Sequence, residues 1–339
     1  MIFASDKPLV SMAMTTYNRK EYIRDALAGV FAQTYGNLEI VISDDCSTDG
    51  TWEIINEEVR KYQAAGGRHS ITLNRNERNL KVLGNFEKLA SLCRGDLIIQ
   101  CGDDDISLPN RATRTVDAVM RAGGTEKIKL VHCGAARIDR NGRRMRLPIQ
   151  GMNAYRALGA VAAYSADVFK SFAPLRIGIA YEDGVYAGRA IIMGEELTIP
   201  DQLVQYRYGE GASTSTHSWR SSYIHSLERI IAYYDQNLLD LDSRRDMLDN
   251  DRYLTLHSRC LDGRDRNMRR LELHRGDSML VRFKNRKRIG FRWLGLVLSG
   301  HVGNLIYPIY QCLCIVPKCI GTPLLNLYVK VLYRTGYNV

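Results

Sequence analysis

The chain has 339 residues, of which 45% are hydrophobic and 25% charged, a composition typical of a folded globular protein and not of a disordered one. The formal net charge of +10 could indicate nucleic-acid binding, but nine basic residues and no acidic ones lie between Ser278 and Val339. The remaining 277 residues carry only about +1, which argues against a basic nucleic-acid-binding surface on the body of the protein.

The alternation of short β-branched runs with amphipathic segments in the first half predicts an α/β fold with a doubly wound, mainly parallel sheet flanked by helices. Strands are predicted at 9–15, 38–43, 70–74, 96–101 and 129–133. Helices are predicted at 20–33, 51–64, 83–93 and 110–122. Further along, the pattern predicts a helix at 166–172, a strand pair through 196–208 and mostly helical structure over 221–275.

These patterns divide the chain into three parts. We expect an α/β domain over residues 1–218, a helical extension over 219–281, and a basic and apolar segment over 282–339. The eight cysteines form no CxxC pair, and the N-terminus shows no signal-peptide pattern. We therefore expect reduced thiols and a cytoplasmic protein.

The last segment has its own chemistry. A cluster of basic residues over 282–292 precedes the apolar stretch 293–317, which is long enough to cross a bilayer but is interrupted by Gly295, Gly300, Gly303 and Pro308. These features favour peripheral or monotopic attachment to the anionic inner face of the plasma membrane over a spanning helix. A soluble helical cap and a nucleic-acid-binding patch are the alternatives.

Acidic residues follow three of the predicted elements, where ligands of open α/β sheets bind. The first cluster, residues 43–51, reads Ser-Asp-Asp-Cys-Ser-Thr-Asp-Gly-Thr. One carboxylate here could accept a hydrogen bond from the imide of a nucleotide base or from a ribose hydroxyl. A helix N-cap needs only one acidic residue, and a calcium-binding EF-hand loop would need Glu at position 56, where Asn56 stands.

The second cluster is Asp103, Asp104 and Asp105, directly after an apolar strand. Three adjacent carboxylates repel one another unless a cation offsets the repulsion. Because Mg²⁺ is typically bound by one or two carboxylates together with substrate phosphates, this loop suits a metal–diphosphate complex. The alternative is a solvated turn capped by Ser107.

The third cluster is the pair Glu182 and Asp183. A carboxylate can serve as the general base that removes a proton from a hydroxyl group. Acidic pairs are common on surfaces, so this pair alone carries little information.

Taken together, the motifs resemble those of the family 2 inverting glycosyltransferases with the GT-A fold. The motifs that carry this resemblance, over roughly residues 8–215, are Thr15-Thr16-Tyr17-Asn18-Arg19, then Asp44-Asp45-Cys46-Ser47-Thr48-Asp49, then Asp103-Asp104-Asp105. Asn79 and Asn85 also fit the family's Asn-containing stretch. Two positions depart from the family pattern, because Gly102 stands where many members have an acid and Gln205-Tyr206-Arg207 replaces the Gln-x-x-Arg-Trp motif of processive members.

The resemblance implies a role for each matching residue. Asp183 would be the catalytic base, and Asp104 with Asp105 would bind Mg²⁺ or Mn²⁺, although the division of roles within Asp103–Asp105 stays open. Donor-binding residues would be Thr15, Tyr17, Asp45, Asn79, Asp103 and Arg207. A structural role for Arg207 is an equal alternative.

The function implied is metal-dependent, inverting transfer of a sugar from a nucleotide sugar to an acceptor hydroxyl. Among nucleotide sugars, UDP-sugars are the donors expected first. The acceptor would be a saccharide or a lipid-linked saccharide in cell-surface polysaccharide or glycolipid biosynthesis, with no nucleic-acid partner. The alternatives are a nucleotidyltransferase, which would normally carry a Gly-rich basic loop after its first strand, and a catalytically inactive nucleotide-sugar-binding module.

Overall fold

The structure, a computed structural model, describes residues 7–146, 159–175, 182–208 and 219–275. The predicted membrane-attachment segment over 282–339 lies outside these ranges. Within them, no helix is both long enough and apolar enough to cross a membrane.

Eight strands and eight α-helices make up the described chain. The strands are β1 (Val10–Thr16), β2 (Leu38–Asp44), β3 (Ser70–Arg75), β4 (Leu97–Cys101), β5 (Ile106–Ser107), β6 (Ile128–Ile138), β7 (Ala162–Ser165) and β8 (Glu195–Arg207). The helices are α1 (Ile23–Phe31), α2 (Thr51–Ala64), α3 (Lys81–Leu92), α4 (Arg111–Arg121), α5 (Asp167–Lys170), α6 (Glu182–Met193), α7 (Trp219–Asp242) and α8 (Asn250–Arg275). The predicted doubly wound α/β architecture with C-terminal helices is confirmed.

All eight strands form one mixed sheet in the order β3-β2-β1-β4-β7-β6-β8-β5. The strands β1 to β4 are parallel, and β1 lies between β2 and β4. The strand β7 runs antiparallel to both β4 and β6, whereas β6 and β8 are parallel. The chain order therefore reverses at β1, and the loops after β1, β2 and β4 meet at one edge of the sheet.

Apolar side chains alternate between the two faces of the sheet, as the period of a strand requires. On one face, Met12, Ile40 and Ile99 pack with residues of α1, α2 and α4 in a continuous buried cluster. On the other face, an aromatic cluster joins α3, α5, α6 and β7 through Phe86, Phe169, Tyr186 and Tyr164. Helices thus cover both faces and leave the loop edge open.

The prediction of a strand pair through 196–208 is wrong, because this segment forms the single 13-residue strand β8. The register with β6 shifts between the pairs Cys133–Ile199 and Gly134–Gln202, so Pro200 lies in a bulge. A bulge needs no donated N–H at that position, which is why the proline interrupts the ladder without ending the strand.

Contacts group the chain into two compact units. The first consists of residues up to 214 together with Gln236–Leu256, and the second of 215–235 together with residues from 257 onward. In the first unit, Arg189 on α6 forms a buried ion pair with Asp240 on α7, at 2.7 Å. In the second, Leu227, Ile231 and Leu271 form a small apolar core. The three-part division of the sequence stays a prediction.

Candidate functional site

The loops after β1 and β2 are joined side by side by hydrogen bonds. The backbone N–H of Asp45 donates to the carbonyl oxygen of Thr16 at 2.9 Å. The N–H of Asn18 donates to Ser47 Oγ, and the N–H of Thr48 donates to Asn18 Oδ1, both at 2.9 Å. These three contacts give the two loops one fixed arrangement at the carboxyl edge of the sheet.

Asp49 organises the start of α2. Its Oδ1 accepts from the N–H and the hydroxyl of Thr51, at 3.0 and 2.6 Å, and its Oδ2 accepts from the N–H of Lys20 at 3.1 Å. Burial opposes the charged form, but these hydrogen bonds prevail and lower the pKa of Asp49. One of the three acids of the first cluster therefore accepts the N–H of the first residue of α2, although the N-cap position itself is Gly50.

Asp44 is fully buried beneath the same loop. Its Oδ2 accepts from the N–H of Ser47 at 3.0 Å and lies 3.5 Å from Nε of Arg75. Burial raises the pKa of Asp44 despite these contacts. The carboxylate of Asp44 therefore stabilises the conformation of the loop after β2 through its hydrogen bond with Ser47.

Asp45 is 3% exposed and is held through one of its two oxygens. Its Oδ1 accepts from Asn76 Nδ2 at 2.9 Å and from the N–H of Leu80 at 2.7 Å. No described residue donates to Oδ2, which leaves that oxygen available as an acceptor for a ligand.

The asparagines around Asp45 form a network that the sequence revealed only in part. Asn76 Nδ2 also donates to Asn85 Oδ1 at 3.0 Å, and Asn85 Nδ2 donates to the carbonyl oxygen of Ser43. Asn79, predicted to bind the donor, accepts the N–H of Lys81 at the start of α3. Sequence reasoning missed Asn76, although the closely spaced asparagines from position 74 to 79 were a usable signal.

Thr15 and Tyr17 lie at the carboxyl end of β1. Thr15 is half-buried in the register position opposite Ser43, and Tyr17 is 44% exposed. The N–H of Tyr17 donates to Asp103 Oδ2 at 3.3 Å, which ties the loop after β1 to the aspartate loop after β4. The predicted donor-binding residues Thr15, Tyr17, Asp45 and Asp103 thus come from three neighbouring loops.

The three aspartates after β4 occupy different environments. Asp103 also accepts from Arg19 Nε at 3.3 Å, and burial together with the charge of Asp104 raises the pKa of Asp103 to about 6. Asp104 is half-buried, its carboxylate accepts no hydrogen bond from another described residue, and burial raises its pKa. Asp105 is 5% exposed, and its Oδ1 accepts the N–H of Arg207 at 2.7 Å. Burial and the charge of Asp104 raise the pKa of Asp105 to about 8.

Arg207, at the end of β8, stabilises the aspartate loop through hydrogen bonds. Its side chain is 1% exposed, and its Nε donates to the carbonyl oxygen of Asp104 at 2.8 Å. The terminal nitrogens donate to the carbonyls of residues 139–140 and to Asp25 on α1, and the guanidinium lies 4.6 Å from the ring centre of Tyr22. Because the nitrogens of Arg207 are engaged within the protein, this geometry favours the structural role. The donor-binding role of Arg207 stays a prediction.

The aspartate loop fits a metal ion that is shared with a ligand. Within the described ranges, no three His, Cys, Asp or Glu side chains converge to form a complete metal site. Mg²⁺ and similar ions are commonly held by one or two carboxylates plus substrate phosphates. The carboxylates of Asp103, Asp104 and Asp105 provide hard oxygen atoms for that incomplete set, although Asp105 is 5% exposed and its Oδ1 accepts the N–H of Arg207. The predicted metal-binding role of Asp104 and Asp105 stays a prediction.

Asp183 lies on a different element, in the first turn of α6. Its Oδ1 accepts the N–H of Gly184 at 2.8 Å, and the hydroxyl of Tyr164 on β7 lies 3.5 Å from its carbonyl oxygen. The helix α6 contacts β6 and β8, and the Arg189–Asp240 pair anchors it.

Comparison with known sequences points to one family. The profile of the family described as "Glycosyl transferase family 2" matches residues 11–149. The putative glycosyltransferase EpsE of Bacillus subtilis is 32% identical over 109 residues, which cover 32% of this chain and 37% of that protein. The abequosyltransferase RfbV of Salmonella typhimurium is 40% identical over 99 residues, which cover 29% of this chain and 28% of that protein. The chain spans about a third of the length of the curated relatives it matches.

Solved structures share the fold over nearly the whole chain. A mannosyltransferase from Pyrobaculum calidifontis, in complex with GDP-Man and Mn²⁺, superimposes with a TM-score of 0.56 at 15% identity, covering 96% of this chain and 89% of that one. Residues 1–349 of S. aureus TarS, in complex with UDP-GlcNAc, give a TM-score of 0.56 at 17% identity, covering 97% and 92%. At such identities the likeness is one of fold, and it confirms the GT-A architecture. The match to glycosyl transferase family 2 covers the part of the chain that carries the three loops, and the solved structures share the fold.

Proposed function

We propose that this protein is a metal-dependent glycosyltransferase that moves a sugar from a nucleotide sugar to an acceptor hydroxyl, with inversion at the anomeric carbon. The observation that carries the proposal is the meeting of the loops after β1, β2 and β4 at the switch point of the sheet. The loop after β2 presents an unengaged oxygen of Asp45, and the loop after β4 presents carboxylates suited to a cation. We place the reaction in cell-surface polysaccharide or glycolipid biosynthesis.

The nucleotide base would contact the loops after β1 and β2. Asp45 Oδ2 is the acceptor for the imide of a uracil-like ring, and the Asn76 contact fixes its orientation. Thr15 and Tyr17 flank Thr16, whose carbonyl oxygen accepts the N–H of Asp45. UDP-sugars are our first choice of donor, while the similar structures contain both UDP-GlcNAc and GDP-Man.

The diphosphate would lie over the aspartate loop. Asp103 and Asp104 would hold Mg²⁺ or Mn²⁺ through their carboxylates, while Asp105 keeps the loop in place through the N–H of Arg207. When bound, the ion supplies positive charge that stabilises the leaving nucleoside diphosphate. Protonation of the leaving group is then unnecessary, so the site needs one base and no paired acid.

Asp183 would accept the proton of the acceptor hydroxyl as that oxygen attacks the anomeric carbon. A positioned general base contributes typically about 10² to 10⁴ in rate. A single displacement of this kind inverts the configuration of the anomeric carbon.

The proposal is tested first with a panel of nucleotide sugars, by thermal stabilisation with and without Mn²⁺ or Mg²⁺. Turnover is then measured for Asp104→Asn and Asp183→Asn, each of which we expect to lower kcat at least about 100-fold without loss of the fold. Asp201→Asn is the matched control, since Asp201 forms a half-exposed ion pair with Arg114. Near-normal turnover of either site variant would contradict its assignment, and binding without hydrolysis or transfer would indicate an inactive binding module.

We further propose that the acceptor is a saccharide or lipid-linked saccharide reached at the inner face of the plasma membrane. The support is the basic and apolar sequence of residues 282–339. Deleting this segment should abolish flotation with anionic liposomes, and unchanged flotation would contradict the proposal.

A further inference from the structure

Arg19 lies where the loops after β1, β2 and β4 meet. Its backbone N–H donates to Thr51 Oγ1 at the start of α2, at 2.8 Å. This hydrogen bond fixes the backbone position from which the Arg19 side chain extends. Its Nε donates to Asp103 Oδ1 at 3.3 Å, and its side chain is 18% exposed. The guanidinium is therefore pre-oriented beside the aspartate loop and still reachable from solvent.

The terminal nitrogens of Arg19 set it apart from the other arginines near this loop. The side chain of Arg207 is 1% exposed and engaged with carbonyls and Asp25. Arg111 is 1% exposed, with its terminal nitrogens donating to Ser107 and to the carbonyl of Gln100. No described residue accepts a hydrogen bond from Nη1 or Nη2 of Arg19, so its two outer amino groups remain available.

A guanidinium with spare donors at this place fits an anion that carries several oxygens. Arginine presents its N–H groups as a planar fork that matches phosphate oxygens, and such charge-assisted hydrogen bonds are stronger than neutral ones. A nucleoside diphosphate beside the aspartate loop would meet further negative charge, which a divalent cation and a nearby guanidinium together would offset.

We propose that Arg19 binds the diphosphate of the donor, and that its contact with Asp103 holds it ready for that ligand; this rests on the proposed function. As long as no nucleotide is bound, the guanidinium and a metal ion compete for the Asp103 carboxylate. Once the diphosphate is present, the Nη groups would bind phosphate oxygens. Arg19 thus affects the affinity for the ion and the affinity for the diphosphate in opposite directions.

The test measures binding by calorimetry for the full-length protein, for Arg19→Gln and for the control Lys20→Gln, whose side chain is exposed on the neighbouring residue. The probes are Mn²⁺ alone, then UDP, GDP and dTDP with Mn²⁺, then the matching monophosphates. For Arg19→Gln we expect a diphosphate affinity lower by about 10- to 100-fold and a monophosphate affinity within about twofold of wild type. The affinity for Mn²⁺ alone should rise by about two- to fivefold, because the competing ion pair is gone.

A structural role for Arg19 would instead weaken mono- and diphosphates equally or lower the melting temperature together with the Mn²⁺ affinity, and either result would overturn the proposal. An unchanged diphosphate affinity in Arg19→Gln, with wild type binding normally, would overturn it as well and leave the proposed function standing. A wild type that binds none of the diphosphates would refute the proposed function and this inference together.

Discussion

Asp103, Asp104 and Asp105 are consecutive, yet their surroundings assign them different tasks. Asp105 is held by a backbone N–H of β8, Asp103 by Tyr17 and Arg19, and the carboxylate of Asp104 is unengaged within the described chain. The partner of Asp105, Arg207, lies 102 residues further along the chain. This is why the acidic loop could be recognised from the sequence but the division of roles within it could not.

The burial of His132, on β6, lowers the stability of the folded protein. It is fully buried, neither ring nitrogen has a hydrogen-bond partner among the described residues, and burial lowers its pKa to about 4. An unfolded chain takes up a proton on histidine below about pH 6.5, whereas the folded protein does not until about pH 4. Protonation therefore favours the unfolded state, and stability is lost as the pH falls through this window.

We accordingly predict that His132→Leu raises the free energy of unfolding by about 1–3 kcal/mol at pH 7.5, because the imidazole that lacks hydrogen-bond partners is no longer buried. The gain over wild type should be larger at pH 5.0. Urea unfolding at both pH values measures this difference, with His225→Gln as the control, since the His225 side chain is 69% exposed. An equal gain at the two pH values would contradict the assigned pKa.

At the scale of elements, the strands and helices with strong local patterns were predictable and those made by pairing were not. The helix α2 was predicted with its observed bounds, and β1 to β4 within about one residue. The two-residue strand β5 exists because it pairs with Val204 and Gln205 of β8. Likewise β6 was predicted to end at 133 but continues to Ile138, through glycine and alanine residues of weak strand propensity, because β8 runs alongside.

The contact between α1 and β5 sets the position of the aspartate loop. A Cβ atom on Gly29 of α1 would lie 2.8 Å from the carbonyl oxygen and 2.9 Å from the nitrogen of Ser107 in β5. These are backbone atoms, which cannot rotate away. The absence of a side chain at Gly29 therefore allows the helix to approach the strand that directly follows the aspartates.

We predict that Gly29→Ala displaces β5, lowers the free energy of unfolding by about 1–3 kcal/mol and weakens Mn²⁺-dependent nucleotide binding. Gly36→Ala is the matched control, since nothing lies within 4 Å of its added Cβ, and it should change stability by less than about 0.5 kcal/mol. Thermal unfolding and calorimetric titration with UDP or GDP compare the two. Equal behaviour of both variants would show that the approach of α1 does not position the loop.

At the scale of the whole molecule, the α/β unit is completed by residues that follow it in sequence. The sequence placed a boundary near 218, whereas Gln236–Leu256 groups with the first unit. Leu241 and Leu256 pack with Ile192 of α6, and Asp240 neutralises Arg189, which is 1% exposed. The polar composition of 221–275 gave no signal for this packing, because the few buried positions are spread over two long helices.

The last prediction concerns truncation. A chain ending at residue 218 would leave Arg189 buried without Asp240, and removing one partner of a buried ion pair costs about 3–5 kcal/mol. It would also expose the apolar residues that Leu241 and Leu256 cover. Because a domain is stable by only about 5–15 kcal/mol, we expect this chain to aggregate or to lack a cooperative thermal transition. A chain ending at residue 275 retains every contact named above and should unfold cooperatively, with Mn²⁺-dependent nucleotide binding preserved. If the 218-residue chain melted cooperatively and bound nucleotide like the 275-residue chain, the helices after position 218 would be dispensable for the α/β unit, and α6 would need another anchor for Asp183.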